Sequence, residues 1–410
     1  MALLIGTNSG GTDEGLRINP KRLRYALDLY KLTSDNLLSY IAGKKNREKL
    51  KSIIEGKEPV NISTLKKIDK LFGKGLHWYI SKRDLPEKKS SSIFFRKDSF
   101  NTELNLESIR LTNSFEGRKF EIQTLCKYID YLPKRKLRHY DIDTDPRSVA
   151  KEISAEFEKV KTGLRGYKEP KDDKEYLKNL IRLIEEYNVF VFEYVQHPKK
   201  KETVNFSGFY FSPHMIVIKR EKVLRREIFT LVHEFAHYLL DKEEIDRASD
   251  ELFNSVDKIE KWCNNFVYYF LIGEYDEKIE SMGNATRENN YQEKAVREVY
   301  DNTRLSTSAI YTRLRIRDKI TQQDYYQKIE AMKEALNKET AENRARQKWE
   351  REELKKIGKK SGARLAKPIQ SNLFKEVVKI NFFQGNIDEA RACDLLSVKP
   401  EKLEKELYSG

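Results

Sequence analysis

The chain has 410 residues, enough for two or three domains at roughly 150 residues each. Hydrophobic residues make up 39% and charged residues 35%, a balance that excludes both a membrane protein and a wholly disordered one. Lys and Arg number 79 against 65 Asp and Glu, a formal net charge of +14, which suits nucleic acid or an acidic partner as well as plain solubility. The longest strongly apolar run, Phe266 to Ile272, is far short of the ~18 residues of a bilayer span. No basic start followed by an apolar segment opens the chain, so the expectation is a cytoplasmic protein without membrane contact. Cys126, Cys263 and Cys393 are scattered with no C-x-x-C pair, which excludes a disulfide framework or a thiolate zinc site. Any metal must use His and carboxylates.

In chain order, residues 1–17 read as a flexible leader. Residues 18–85 predict a compact helix-turn-helix bundle. Leu23, Ala26, Leu27 and Tyr30 recur at helical spacing after Pro20, and Thr33 or Ser34 caps a helix carrying Leu37, Leu38 and Ile41. Leu50, Ile53 and Ile54 end at Gly56, and Ser63 is the expected N-cap before Leu65, Ile68, Leu71, Phe72 and the closing Gly73. Residues 86–170 read as a helical connector without a site, interrupted by Pro133 and Pro146. In 171–325, a helix carrying Leu177, Leu180, Ile181 and Ile184 precedes three short aromatic and β-branched runs, 189–195, 204–211 and 215–218, the pattern of a small sheet. Long helices over about 222–240 and 256–271 follow. Residues 326–410 read as a helical extension with a basic linker at 355–367 and a last helical pair, 371–383 and 387–407. The expected fold class is mainly α (α+β).

The long helix carries His233-Glu234-Phe235-Ala236-His237, an H-E-x-x-H arrangement. Histidines at i and i+4 lie on one helix face a turn apart, so both imidazoles can reach one cation. Glu234 stands where it can take a proton from water made acidic by zinc, whose bound water has a pKa of roughly 7. The flanks Ile228, Phe229, Leu231, Val232, Phe235, Leu239 and Leu240 are apolar, and burying two histidines and a glutamate without a shared partner is costly. A third ligand is needed. Glu260 on the next helix is the better placed, with Glu251, Asp257 and Glu274 also within reach; His77, His139, His197 and His214 lack a geometric tie.

The runs RREIFTLVHEFAHYLL (225–240) and IEKWCNNFVYYFLI (259–272) resemble the ImmA/IrrE metallopeptidase family. The resemblance selects Glu260 as the third ligand and implies a zincin-like, gluzincin-type zinc endopeptidase with His233, His237 and Glu260 on Zn²⁺ and Glu234 as catalytic base. It departs at Val267, Tyr268 and Gly273-Glu274, positions of packing and cleft wall rather than ligands. The N-terminal region resembles the Xre-type helix-turn-helix domain that often precedes this peptidase, which implies Lys45, Asn46, Arg47 and Lys51 as contacts to double-stranded DNA. Members of the family characteristically cleave a partner repressor, releasing stress, phage or mobile-element genes, and some accompany toxins. The expected substrate is therefore a specific protein, its extended segment adding to the sheet at the Met215–Ile218 strand. Tyr238, Tyr268 and His214 are the candidates for stabilising the oxyanion. The alternative is a DNA-binding regulator or antitoxin-like protein on an inactive peptidase scaffold.

Overall fold

The structure is a computed structural model that describes residues 16–29, 32–42, 47–83, 104–131, 133–196, 203–243, 245–247, 258–357 and 368–408. Tyr30, Lys45, Asn46, His197, Glu251 and Asp257, like most of the expected leader and basic linker, lie outside them. Two compact units emerge: residues 1–130 with 200–206, and residues 131–199 with 207–410. Among the described residues no helix is long and apolar enough to cross a membrane.

The first unit contains α1 (Pro20–Leu29), α2 (Ser34–Ala42), α3 (Arg47–Ile54), α4 (Ile62–Phe72), α5 (Leu76–Ile80) and α6 (Leu106–Tyr128). The apolar positions read from the sequence are its core: Leu23, Leu37, Ile53, Leu65, Ile68, Leu71 and Phe72 are all buried. Asn61, not Ser63, caps α4, its side chain accepting the Thr64 N–H at 2.7 Å. Ser63 instead donates its hydroxyl to Asn61 Oδ1. Gly56 at φ +74° ends the α3 turn where a Cβ would meet the Ile18 carbonyl at 2.7 Å, so only glycine fits. Asn19 N–H donates to the Tyr79 carbonyl, tying the start of α1 to α5, and Asn113 Nδ2 donates to the Leu71 carbonyl, tying α6 to α4.

The second unit opens with α7 (Pro146–Gly163) and α8 (Asp173–Glu185), then β1 (Phe190–Tyr194), β2 (Phe206–Phe211), β3 (Met215–Lys219), α9 (Leu224–Leu240), β4 (Ile245–Arg247) and α10 (Lys258–Ile272). The unit boundary at 130/131 falls inside the stretch read as a connector. The part after it is no connector by packing: α7 lies along α10, burying Val149, Ala150, Ile153 and Phe157, and Trp262 Nε1 donates to the Thr144 carbonyl at 2.7 Å. Asp145 caps α7, with Pro146 in the first turn, where its missing N–H costs nothing.

The sheet order is β1-β3-β2-β4, with β1 parallel and β2 antiparallel to β3. This corrects the expected substrate edge. Met215–Ile218 lies in the interior of the sheet, paired on both sides, and its unbroken apolar run is that of a strand buried on both faces. The three-residue β4 carries too short a pattern to be read from sequence. The outer side of β1 is covered by the chain itself: Glu193 N–H donates to the Ile369 carbonyl at 3.0 Å, and Ile369 N–H to Glu193 Oε2 at 2.6 Å.

Beyond α10 come α11 (Asp276–Ser281), α12 (Glu293–Asn302), α13 (Thr307–Ile316) and the 35-residue α14 (Gln322–Lys356), which buries no residue fully. The expected last helical pair is three helices, α15 (Asn372–Phe383), α16 (Glu389–Leu396) and α17 (Pro400–Tyr408). Ser397 in the left-handed region ends α16, and Pro400 restarts the chain as α17.

Candidate metal centre

Helix α9 is buried along nearly its whole length, from Glu227 through Leu240. His233 and His237 stand one turn apart on it, both fully buried, and α10 packs alongside to deliver Glu260 from its first turn. The His233 and His237 Nε2 atoms are 3.1 Å apart, and the Glu260 oxygens lie 3.3 Å from each. Zinc bonds of about 2.0–2.1 Å in tetrahedral geometry put neighbouring donors about 3.3 Å apart. Glu260 turns Oε2 to His233 and Oε1 to His237, so each neighbouring pair of side chains stands at the donor spacing of such a site. Among the described residues this trio is the group of side chains able to share a metal ion. Glu274, an alternative third ligand, is exposed on the far end of α10's turn, as His77 and His139 are exposed elsewhere.

Electrostatics agree with ligation. Burial holds the His237 imidazole below its ordinary value, so it is neutral and offers its lone pair at pH 7. Burial alone would raise the Glu260 carboxyl, but the adjoining imidazoles outweigh it and keep the group ionised.

Glu234 points from the same helix toward β2 and is fully buried. The strand passes it at Gly208. A Cβ on Gly208 would meet Glu234 Cγ and Oε1 at 2.9 Å and Thr230 Cγ2 at 2.8 Å. The sequence reading missed this residue; the signal was a glycine inside an otherwise aromatic strand, which marks a close approach.

The helix is anchored at its start. Arg225 donates to Asp173 Oδ2 at 3.0 Å and to the Tyr300 and Leu305 carbonyls at 2.7 Å, while its guanidinium lies 3.5 Å from the Tyr300 ring centroid. Farther along, Glu227 accepts the Glu221 N–H at 3.3 Å and neighbours Glu193, whose carboxylate is gripped by two N–H groups of Arg220. Burial, then the neighbouring Glu193, pushes the Glu227 carboxyl up to about 8. Glu185 at the end of α8, raised by burial to about 7, accepts the Asn372 N–H at 2.9 Å.

Of the expected oxyanion candidates, the Tyr268 hydroxyl is engaged elsewhere. Tyr268 donates to the buried Asp276 at 2.7 Å, which also takes Arg317 and Arg147. Tyr238 packs its ring under Arg135 and against Phe235. His214 sits half-buried in the β2–β3 turn, its carbonyl accepting Phe190 N–H. Of the expected DNA contacts, Arg47 and Lys51 are exposed on α3, and Arg47 donates to Ser39 Oγ at 2.8 Å.

Two helices that hold a His, His, Glu face with a buried glutamate beside the first histidine have the make-up of a metal-dependent hydrolase centre. Residues 185–314 match the family model of the IrrE N-terminal-like domain, a peptidase family, which supports a metallopeptidase of the ImmA/IrrE type. All three donors and Glu234 fall within the match. No curated protein and no solved structure matches the chain.

Proposed function

We propose that the protein is a zinc endopeptidase of the cytoplasm, fused to a regulatory helix-turn-helix unit, that cleaves one partner protein, a transcriptional repressor or toxin-system partner. The gathering of His233 and His237 Nε2, 3.1 Å apart, with a Glu260 oxygen 3.3 Å from each carries the reading. His233, His237 and Glu260 would hold the ion. Bound zinc supplies a Lewis acid and brings the pKa of its water to roughly 7. The Glu234 carboxylate would serve as the base that accepts a proton from water at the centre on one oxygen and returns it to the leaving amine. Gly208 leaves Glu234 the room it occupies. With β3 internal and β1 covered by residue 369, an extended substrate segment that joins the sheet does so at β4, the outer strand on the other side. Arg47 and Lys51, with Lys45 and Asn46 before them in the sequence, would present the unit to double-stranded DNA.

Elemental analysis of the purified protein tests the centre. About one zinc per chain is expected, lost in His237→Ala and Glu260→Ala and kept in Glu234→Gln, which abolishes cleavage of the partner. A chain that takes up no zinc would instead support the second reading, a DNA-binding regulator on a peptidase scaffold, for which exposed Arg47 and Lys51 speak.

A further inference from the structure

The first unit has a concave site of its own. Arg22 of α1, Lys74, His77, Trp78 and Ser81 around α5, and Arg83 beyond it line a cavity of about 350 Å³, within the range of small-ligand sites. No carboxylate lines it.

The cavity's acceptors are already used. The Arg83 carbonyl takes Arg22 Nη2 at 2.7 Å, the Ser81 carbonyl takes Asn19 Nδ2 at 2.8 Å, and the His77 carbonyl takes the Ser81 N–H. Nearby Asp69 is engaged by the Gly75 N–H at 2.7 Å and the Tyr79 hydroxyl at 3.1 Å. Basic side chains are left over. Among the described residues Lys74, His77 and Arg83 form no ion pair. Lys74 is part-buried, and its ammonium is held below its ordinary value by burial, with only Glu116 opposing. A cation in that position is completed by an anion.

One wall is an aromatic plane. Trp78 is half-buried and fixed by Arg22, 5.3 Å from its ring centroid, by Tyr79 edge-on at 5.2 Å and by Tyr25 at 6.3 Å. A rigid indole beside a cationic rim matches a planar base joined to phosphate. We propose that this cavity binds a free nucleoside phosphate, its phosphates on Lys74, His77 and Arg83 and its base against Trp78. A volume of about 350 Å³ suits one nucleotide rather than a run of several stacked bases. The proposal is independent of the metal centre.

Titration calorimetry of the full chain in magnesium-free, low-salt buffer tests it, with AMP, ADP and ATP, inorganic phosphate and a short single-stranded oligonucleotide as probes. Saturable binding of a nucleotide is expected, weakened about tenfold by Lys74→Gln and by Arg83→Gln. Trp78→Phe should weaken nucleotide more than inorganic phosphate. Arg83 is exposed, so its variant remains informative if that of Trp78 misfolds. No nucleotide binding at millimolar concentration overturns the proposal. So does binding unaffected by Arg83→Gln, equal affinity for inorganic phosphate and nucleotide, or tighter binding of the oligonucleotide than of any mononucleotide.

Discussion

Gly208 and Glu234 are packed so closely that a single methyl on the glycine would come within 2.9 Å of the glutamate's Cγ and Oε1. β2 is an inner strand, paired with β3 at Gly208↔Ile218, so the backbone cannot simply withdraw. The glutamate has to move instead. Gly208→Ala is therefore expected to keep zinc yet reduce cleavage by about tenfold or more, at a stability cost of about 1–3 kcal/mol. Zinc content measured beside turnover separates the two effects; full activity in this variant would show that Glu234 tolerates displacement.

Zinc should stabilise the fold as well as serve chemistry, because two imidazoles and a carboxylate are gathered around one point only in the native state. Zinc at about a thousand times its dissociation constant adds about 4 kcal/mol. A chelator should thus lower the melting temperature of the wild-type and Glu234→Gln proteins alike. It should leave that of His237→Ala unchanged.

Glu185 makes stability depend on pH. Its carboxyl titrates near 7 in the native state against an ordinary 4.5, so between those values the folded chain holds more protons than the unfolded one. Stability is then fully present below about 4.5 and falls as pH rises through 7, by on the order of 3 kcal/mol at most. Glu185→Gln should flatten this fall in the chelated protein. Glu227, titrating near 8, leaves a residual slope of the same sign. Melting temperatures from pH 4.5 to 8 measure both, and an unchanged profile in the variant would remove Glu185 from the account.

Asp276 gathers Tyr268, Arg317 and Arg147 at the turn after α10. Replacing it by Asn leaves the mostly buried Arg317 without its nearest counter-charge. A loss of about 3 kcal/mol is expected by chemical denaturation, while zinc content stays at the wild-type level.

The metal helix was legible because its chemistry is local: His233, Glu234 and His237 sit within five residues, and the apolar residues around them announce burial. Glu260 took a family resemblance to select, since a glutamate between Ile259 and Lys261 looks like any solvated charge. Four of the short helices of the first unit, α1 to α4, were readable for the same reason as α9, through apolar spacing, with closing glycines after α3 and α4; α5 was not. Strand order was not. Met215–Ile218 shows that it is a strand, but a period-two or continuous apolar pattern is silent about which strands lie on either side. Likewise nothing near Val149 or Phe157 says that α7 lies on α10. The contact between Glu193 and Ile369 joins residues 176 apart, a relation that no local pattern can carry.

That last contact changes the status of the chain's final forty residues. Ile369 closes the rim of the sheet, and Asn372 at the start of α15 donates its N–H and its side-chain amide to Glu185. A version of the protein ending before residue 368 would bare the Glu193 amide on a strand rich in Phe and Val, the kind of margin along which one molecule zips onto the next. The tail is a hem, and unpicking it invites the cloth to join another piece.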